Sequence, residues 1–377
     1  MEFIGFGSIR NLKFVLSQFQ AKNLFLVTGN NSYEISGAKK YLTELLLPYN
    51  VTHFCQFKSY PKIEDVINGI ELYKKSGCET TIAVGGGSVI DMAKLVTFFA
   101  ENDLRPLEFL KNPVKETLKK ISLAAIPTTA GSGSEATKFA VLYIDKQKFS
   151  VENESLLPSV AIIDPELTMS MSGHTTAVTG ADALCQAIES YWNINSNKES
   201  KAFAGTSLKL IVANLEKAVN NPDPDSRLAM AKAAHLSGKA INITRTTACH
   251  AISYPLTTYF GIPHGHAVAL TMSKIFEINS SEKNTVLNNN LNQEHLAETM
   301  KEICKYFGCE QPNQFTQKWE TMMSNIGMEK NYRNLGVSKQ SDFDLILNNI
   351  NIERLKNNPV KIDRAMLEHV FADESVL

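Results

Sequence analysis

Up to about Asp164, short apolar runs alternate with helical patterns, and this alternation restricts the first half of the chain to a parallel sheet wrapped by helices. The order is NLFLVTG, a helical stretch near Gly37 to Leu47, VTHFCQF, a second helical stretch through Glu64 to Lys75, and TTIAVGGG. After IIDPELTMS the pattern changes to long amphipathic segments, TSLKLIVANLEKAV, SRLAMAKAAHLSGKAINI and HLAETMKEICKYF, with few credible strands. Their apolar spacing is that of helices packed on one another. At 377 residues the chain exceeds what a single core usually holds. The expectation is an α/β domain with a parallel sheet over residues 1–164 and an all-helical domain over residues 165–377. SSEKNTVLNNNLNQEHL, polar and asparagine-rich, reads as a surface loop inside the helical half, and no internal repeat is found.

The buried strand TTIAV runs directly into Gly85-Gly86-Gly87-Ser88, and VIDMAKLV then takes helical spacing with Asp91 in its first turn. Glycines let a backbone approach a diphosphate, and the free N–H groups and dipole of a helix start attract its charge. Taken alone, the same four residues could be a tight turn with no ligand. A second strand, SLAAI, ends in PTTAGSGSEATKF, where Thr128, Thr129 and Ser132 offer hydroxyls to phosphate or ribose. Gly131, Gly133 and Ala136 satisfy the dinucleotide fingerprint by spacing, yet KFAVLYID follows and is β-rich, so the helix that gives the fingerprint its meaning is missing. The first strand ends at VTGNN, and Gly29 stands where a dinucleotide fold often carries an acid on the ribose 2′-hydroxyl. Without that carboxylate NADPH is acceptable beside NADH, and the reading leans to NADPH although no arginine is near.

Asp182 and Gln186 in GADALCQAIESYW are four apart, so both project from one face of a helix. His250 in TTACHAISYPL and His264 in FGIPHGHAVAL lie near helix starts, with Pro263 suited to a first helical position. A turn between two helices would bring these imidazoles together. Carboxylate and imidazole donors with an open position suit Fe²⁺ or Zn²⁺ acting as a Lewis acid. The neutral amide of Gln186 is a poorer donor than imidazole, so a weakly held ion, or a retained water, is expected. Each residue alone could equally be a helix cap or a satisfied core histidine. The four together, beside a nucleotide motif, favour an enzyme. His266, two residues beyond His264, points to a different side and is left to touch substrate or another helix. Met92, Met230 and the Phe98-Phe99 pair sit in apolar stripes and read as core.

A net charge of −1 gives no reason to expect nucleic acid or an anionic membrane as a partner. Cys55, Cys78, Cys185, Cys249, Cys304 and Cys309 show no CxxC spacing, which suits a reducing compartment. MEFIGFGSIRNL lacks a basic stretch followed by a long apolar run, so a soluble, cytoplasmic protein is expected.

With GGGSVIDMAK, PTTAGSGSEAT, IIDPELT, GADALCQAIE and PHGHAVAL in this order, the chain resembles the iron-containing alcohol dehydrogenases over most of its length. The resemblance implies a nucleotide-binding α/β domain, a helical metal- and substrate-binding domain, and metal and nicotinamide meeting in a cleft. Carried over by motif, it puts the metal aspartate on Asp182, the second ligand on Gln186 where histidine is usual, and the later histidines on His250 and His264. A family histidine often assigned to proton transfer falls on Tyr254. Within the family, ESLLPSVAIIDPELT, DALCQAIESYW, GKAINITRTTACHAISYPLT and YFGIPHGHAVAL look most like the phosphonoacetaldehyde reductases. That finer likeness implies reduction of phosphonoacetaldehyde to 2-hydroxyethylphosphonate in phosphonate biosynthesis, and the family suggests a homodimer. Lys138 and Arg245 are candidates to meet a phosphonate dianion, because one follows the PTTAGSGSEAT loop and the other precedes His250. Three alternatives stay open: reduction of another small aldehyde or ketone, a lyase resembling dehydroquinate synthase, and a nucleotide-binding protein without catalysis.

Overall fold

The computed structural model describes residues 1–57, 60–114, 118–145, 147–281 and 286–375. The chain divides into two compact units, Met1–Met171 and Ser172–Leu377.

In the first unit the apolar runs become β1 (Glu2–Ile4), β2 (Asn23–Thr28), β3 (Asn50–Phe54), β4 (Thr80–Gly85), β5 (Leu123–Pro127) and β8 (Val160–Ile163), with a separate antiparallel pair β6 (Phe139–Ile144) and β7 (Gln147–Glu152). The six-stranded sheet has the order β1-β8-β5-β4-β2-β3, and every pair is parallel. Alternate side chains serve opposite faces. Phe25, Val27, Ala83, Leu123 and Ala125 pack with Val66, Tyr73, Phe98 and Phe99 from the helices Ile63–Lys75 and Gly87–Glu101. Leu24, Leu26, Ile82, Val84, Ala124 and Ile126 pack with Leu12, Leu16, Ala38 and Leu42 from the helices Leu12–Phe19 and Ala38–Leu45. Burial on both faces explains why β5 and residues 82–84 of β4 read as apolar without alternation.

Beyond β5, Gly131 to Ala136 leads to a three-residue 3-10 turn and then to β6, so no α-helix follows the apparent dinucleotide fingerprint. The helix Gly87–Glu101 is instead tied to this loop by two charged side chains. Asp91 accepts from Ser134 Oγ at 2.5 Å and from the Val141 N–H at 3.0 Å. Fully buried Lys94 donates to Thr137 O, Thr137 Oγ1 and Phe139 O at 2.8, 2.9 and 3.1 Å. Burial pushes the Lys94 ammonium down to about 8, against the pull of Asp91 and Glu135, and burial raises the Asp91 carboxyl.

The second unit is helical: Gly173–Trp192, Lys198–Asn220, Pro224–Thr244, Ala248–Phe260, His264–Ser280, Gln293–Tyr306, Phe315–Asn325, Gln340–Asn348 and Arg364–Ser375 are its longer helices. Asn197 and Asp223 open two of them with reciprocal capping boxes, each paired with a serine three residues on. Of the expected loop SSEKNTVLNNNLNQEHL, residues 282–285 lie outside the described residues. Its last part is already helical, because Asn292 caps Gln293–Tyr306 by accepting from the Glu294 N–H at 2.8 Å. Among the described residues no helix is long and apolar enough to cross a membrane.

Replacing Lys94 by Met keeps most of the buried stem but removes the donor for two backbone carbonyls. Unfolding in urea should then show a loss of about 1–3 kcal/mol; equal or greater stability would show that the ammonium does not clasp the loop.

Candidate active site and metal centre

In the first unit the nucleotide candidates lie at the carboxyl ends of three adjacent strands. Gly29 follows β2, Gly85 to Ser88 end β4 and open the helix Gly87–Glu101, and Thr128 and Thr129 follow β5. The chain leaves β2 toward β3 on one side and returns to β4 on the other, which makes this edge a switch point of the sheet. Packing disfavours a side chain at Gly85 and Gly87. A Cβ on Gly87 would lie 2.5 Å from Ser132 Oγ, and one on Gly85 would lie 2.6 Å from Val89 Cγ2. Gly29 comes equally close, since a Cβ there would sit 2.4 Å from Ser32 Oγ and 3.5 Å from Val89 Cγ2. A Cβ on Gly86 would meet nothing closer than Thr129 Oγ1 at 3.4 Å. The Thr128 N–H donates to Gly85 O at 3.0 Å, and its buried Oγ1 has no hydrogen-bond partner among the described residues. Gly29, Gly85, Gly86, Gly87, Ser88, Thr128, Thr129 and Ser132 are thus brought to one sheet edge. Asp91 is also near, but both of its oxygens are engaged within the protein by Ser134 and Val141.

In the second unit Asp182, His250 and His264 bring one ligand atom each to within 4.8 Å of one another. Asp182 comes from the middle of the helix Gly173–Trp192, His250 from the first turn of Ala248–Phe260, and His264 from the start of His264–Ser280. Gly265 makes this approach feasible: a Cβ there would lie 2.0 Å from Val178 O and 2.9 Å from Asp182 Cβ. His250 Nε2 stands 3.3 Å from Asp182 Oδ1, and the two imidazole centroids are 5.5 Å apart. His250 Nδ1 is held by Glu189 Oε2. Burial alone would lower the His250 pKa, but Glu189 and Asp182 outweigh it and raise the ring to about 9. One carboxylate and two imidazoles are a donor set that suits a divalent ion.

Gln186, buried on the same helix face as Asp182, accepts from Ser237 Oγ at 3.0 Å. Tyr254 stacks on His264, with centroids 6.2 Å apart and planes 26° from parallel, and Ser253 Oγ lies 3.4 Å from His264 Nδ1. The remaining substrate candidates have other surroundings. Lys138 pairs with Glu154 at 2.6 Å. Arg245 is exposed in an unusual positive-φ conformation (64°) at the end of the helix Pro224–Thr244. His266 is buried, with Nε2 2.6 Å from Glu329 O, and it lines a pocket of about 230 Å³ with Trp319, Met323 and Tyr332. Burial holds its pKa below the usual histidine range.

Residues 2–165 match the family profile described as iron-containing alcohol dehydrogenase, and residues 176–374 match the C-terminal part of the Fe-containing alcohol dehydrogenase family. The chain belongs to the iron-containing alcohol dehydrogenase family. It is therefore an oxidoreductase of that NAD(P)-dependent type. Among curated relatives it is 30% identical to a phosphonoacetaldehyde reductase of Streptomyces viridochromogenes, over 79% of this chain and 76% of that protein. It is 33% identical to long-chain-alcohol dehydrogenase 1 of Geobacillus thermodenitrificans, over 71% of this chain and 69% of that protein. Among solved structures, sulfoacetaldehyde reductase from Bifidobacterium kashiwanohense in complex with NAD⁺ superposes with a TM-score of 0.87 at 28% identity, covering 100% of this chain and 97% of that one.

Sequence reasoning did not single out Glu189, Ser237 or Gly265. Glu189 was visible in principle, because it lies seven residues after Asp182 and so two helical turns along the same face. Ser237 carried no signal, since a serine in an amphipathic helix does not announce its partner. Gly265→Ala should drive the start of His264–Ser280 away from Val178 and Asp182. We expect Zn²⁺ affinity to fall at least about 10-fold in a chelator competition, the range seen when support for a ligand is lost; unchanged affinity would mean the helices can separate without disturbing the cluster.

Proposed function

We propose that this protein reduces a small aldehyde to its primary alcohol with NAD(P)H and a divalent metal, most specifically phosphonoacetaldehyde to 2-hydroxyethylphosphonate. The observation that carries this reading is the Asp182, His250 and His264 cluster in a chain of this family. Two relatives support an anionic two-carbon substrate, since their names specify phosphonoacetaldehyde and sulfoacetaldehyde. Sulfoacetaldehyde is the second reading for the same reason. In this reading residues 1–164 bind the nucleotide and residues 165–377 hold metal and substrate, in a cytoplasmic homodimer.

Asp182, His250 and His264 would hold the ion, Fe²⁺ or Zn²⁺, with Gln186 as a weak fourth donor. When bound, the ion supplies Lewis acidity to the carbonyl oxygen and the cofactor supplies hydride. Gly85, Gly86, Gly87 and Ser88 receive the diphosphate, with Thr128, Thr129 and Ser132 as hydroxyl donors, while Asp91 keeps the loop beside them in place. Lys138 and Arg245 serve the phosphonate, Lys138 by exchanging Glu154 for it, and His266 acts through the helix that carries His264. Tyr254 Oη gives a proton to the developing alkoxide, a role that suits a phenol hydroxyl better than that of a base.

The test is oxidation of the cofactor at 340 nm with phosphonoacetaldehyde, sulfoacetaldehyde and acetaldehyde, in chelator-treated protein before and after Fe²⁺ or Zn²⁺ is restored. Metal-dependent, stoichiometric oxidation preferring the phosphonate is expected. Equal rates with acetaldehyde would remove the anionic substrate, and catalysis without net oxidation would favour a lyase. Tyr254→Phe should lower kcat by about 100-fold; unchanged turnover and pH dependence would leave protonation to water or ribose.

The proposed preference for NADPH rests on Gly29 and on the groove it borders. That groove, about 550 Å³, is lined by Thr28, Asn30, Tyr33, Lys39 and His53 among others. Among the described residues its one lining carboxylate is Glu34, which is already paired with Lys39 at 3.1 Å, and the pair is exposed enough to be weak. Calorimetry should show 2′,5′-ADP binding about 10-fold tighter than 5′-ADP, with the difference lost in Lys39→Glu. A stronger response to 5′-ADP would assign the enzyme to NADH.

A further inference from the structure

We infer that Glu189 is a positioning residue that locks His250 and the first turn of its helix into one unit facing Asp182. The inference rests on the reading that His250 holds a metal ion. Glu189 is completely buried, and a carboxylate in that setting is strongly destabilising unless its lone pairs are satisfied. No lysine or arginine pairs with it among the described residues; its partners are backbone N–H groups, a hydroxyl and an imidazole.

The two oxygens divide the work. Oε1 accepts from the Thr247 N–H at 3.2 Å, Thr247 Oγ1 at 2.7 Å, the Cys249 N–H at 2.8 Å and, more weakly, the His250 N–H at 3.4 Å. These are donors of the opening turn of Ala248–Phe260, whose N-cap Thr247 provides no side-chain cap of its own. A carboxylate from another helix therefore does what a cap does, at the end of the dipole that favours negative charge. Trp192 Nε1 donates to Thr247 Oγ1 at 3.0 Å and steadies the threonine from the same helix as Glu189.

Oε2 is left for the imidazole. An Nδ1–H that donates to Oε2 directs the Nε2 lone pair away from Glu189, toward the side where Asp182 Oδ1 lies 3.3 Å off. One residue thus sets the backbone position and ring rotation of His250 and, once Nε2 serves as a ligand, keeps the remaining hydrogen on Nδ1.

Glu189→Gln separates these effects. Its amide oxygen can still cap the helix, which leaves the NH₂ facing Nδ1, where it selects the tautomer that carries hydrogen on Nε2. Zn²⁺ affinity, measured by chelator competition in the full chain, should fall about 10- to 100-fold. The affinity for 5′-ADP should stay within about 2-fold of wild type, since the nucleotide residues lie in the first unit. Thr247→Val, which removes a donor to Oε1 and the acceptor of Trp192 Nε1 but leaves the contact of Oε2 with His250 in place, should lower Tm while leaving Zn²⁺ affinity within about 3-fold. Nitrogen-15 NMR of the Zn²⁺-loaded wild type needs no variant and should show His250 ligating through Nε2 with hydrogen on Nδ1. Ligation through Nδ1, or wild-type Zn²⁺ affinity in Glu189→Gln, would overturn the inference. A parallel loss of Zn²⁺ and 5′-ADP binding would overturn it too, as general destabilisation. A wild-type protein that binds no Zn²⁺ or Fe²⁺ would instead remove the metal reading on which it rests.

Discussion

The buried polar face of Gly173–Trp192 is the constraint around which the second unit is organised. Ala183, Leu184, Ala187 and Ile188 are fully buried on a helix that also buries Asp182, Gln186 and Glu189. Each polar group there needs a partner from another helix, or the helix could not be stable in that place. Ser237 comes from Pro224–Thr244, the Thr247 to His250 turn from the start of Ala248–Phe260, and His264 from the helix that Gly265 allows close. Satisfying the buried groups and assembling the site are one requirement. The same residues would therefore bear on both stability and the proposed metal affinity.

The first unit solves a different problem, which is to hold glycine-rich backbone still. A turn without side chains has little to pack with, and here its neighbours do the fixing. Val89 and Ser132 close over Gly85 and Gly87, while Asp91 and Lys94 on the following helix bind the loop that carries Ser132. Burying both an acid and an ammonium so near one another is tolerable because each also has neutral hydrogen-bond partners. Asp91 was legible in the sequence as a polar residue near the helix start, although the helix begins at Gly87 and so places it in the second turn. That it faces Ser134 and Val141 was not, because the alternative destination, a phosphate-binding turn, has the same helical address.

What could be read in advance was what repeats or is local. The β2, β4 and β5 runs are long enough and apolar enough to declare a buried parallel sheet, and the change of period after Asp164 separates it from the helices. The four-residue step from Asp182 to Gln186 is a helical fact, and so is the divergence of His266 from His264, which ends against Glu329. Contacts that join distant segments leave no such trace. Glu189 meets a turn about sixty residues later, and Gly265 is a glycine because of Val178, on another helix. The helix beginning at Gln293 was hidden differently: asparagine-rich composition suggested loop up to His295 and Leu296, whereas Asn292 is the cap that starts the helix.

Gln186 gains its meaning from the charge balance around it. An imidazole at that position would add a strong neutral donor, whereas the amide oxygen is already shared with the Ser237 hydroxyl. Donor strength toward an ion at this cluster would then rest on Asp182, His250 and His264. Glu189 restores part of what the amide lacks, because a carboxylate on Nδ1 makes the far nitrogen of an imidazole more basic. Two carboxylates flank His250, and without a cation their combined charge is what holds its ring at about 9 against the opposing effect of burial. A divalent ion between Asp182 and His250 would meet that same double negative charge, only one member of which it needs to touch. The amide at Gln186 is thus tolerable where Glu189 is present, and the two positions are better understood as a pair than as a weak ligand beside a structural acid.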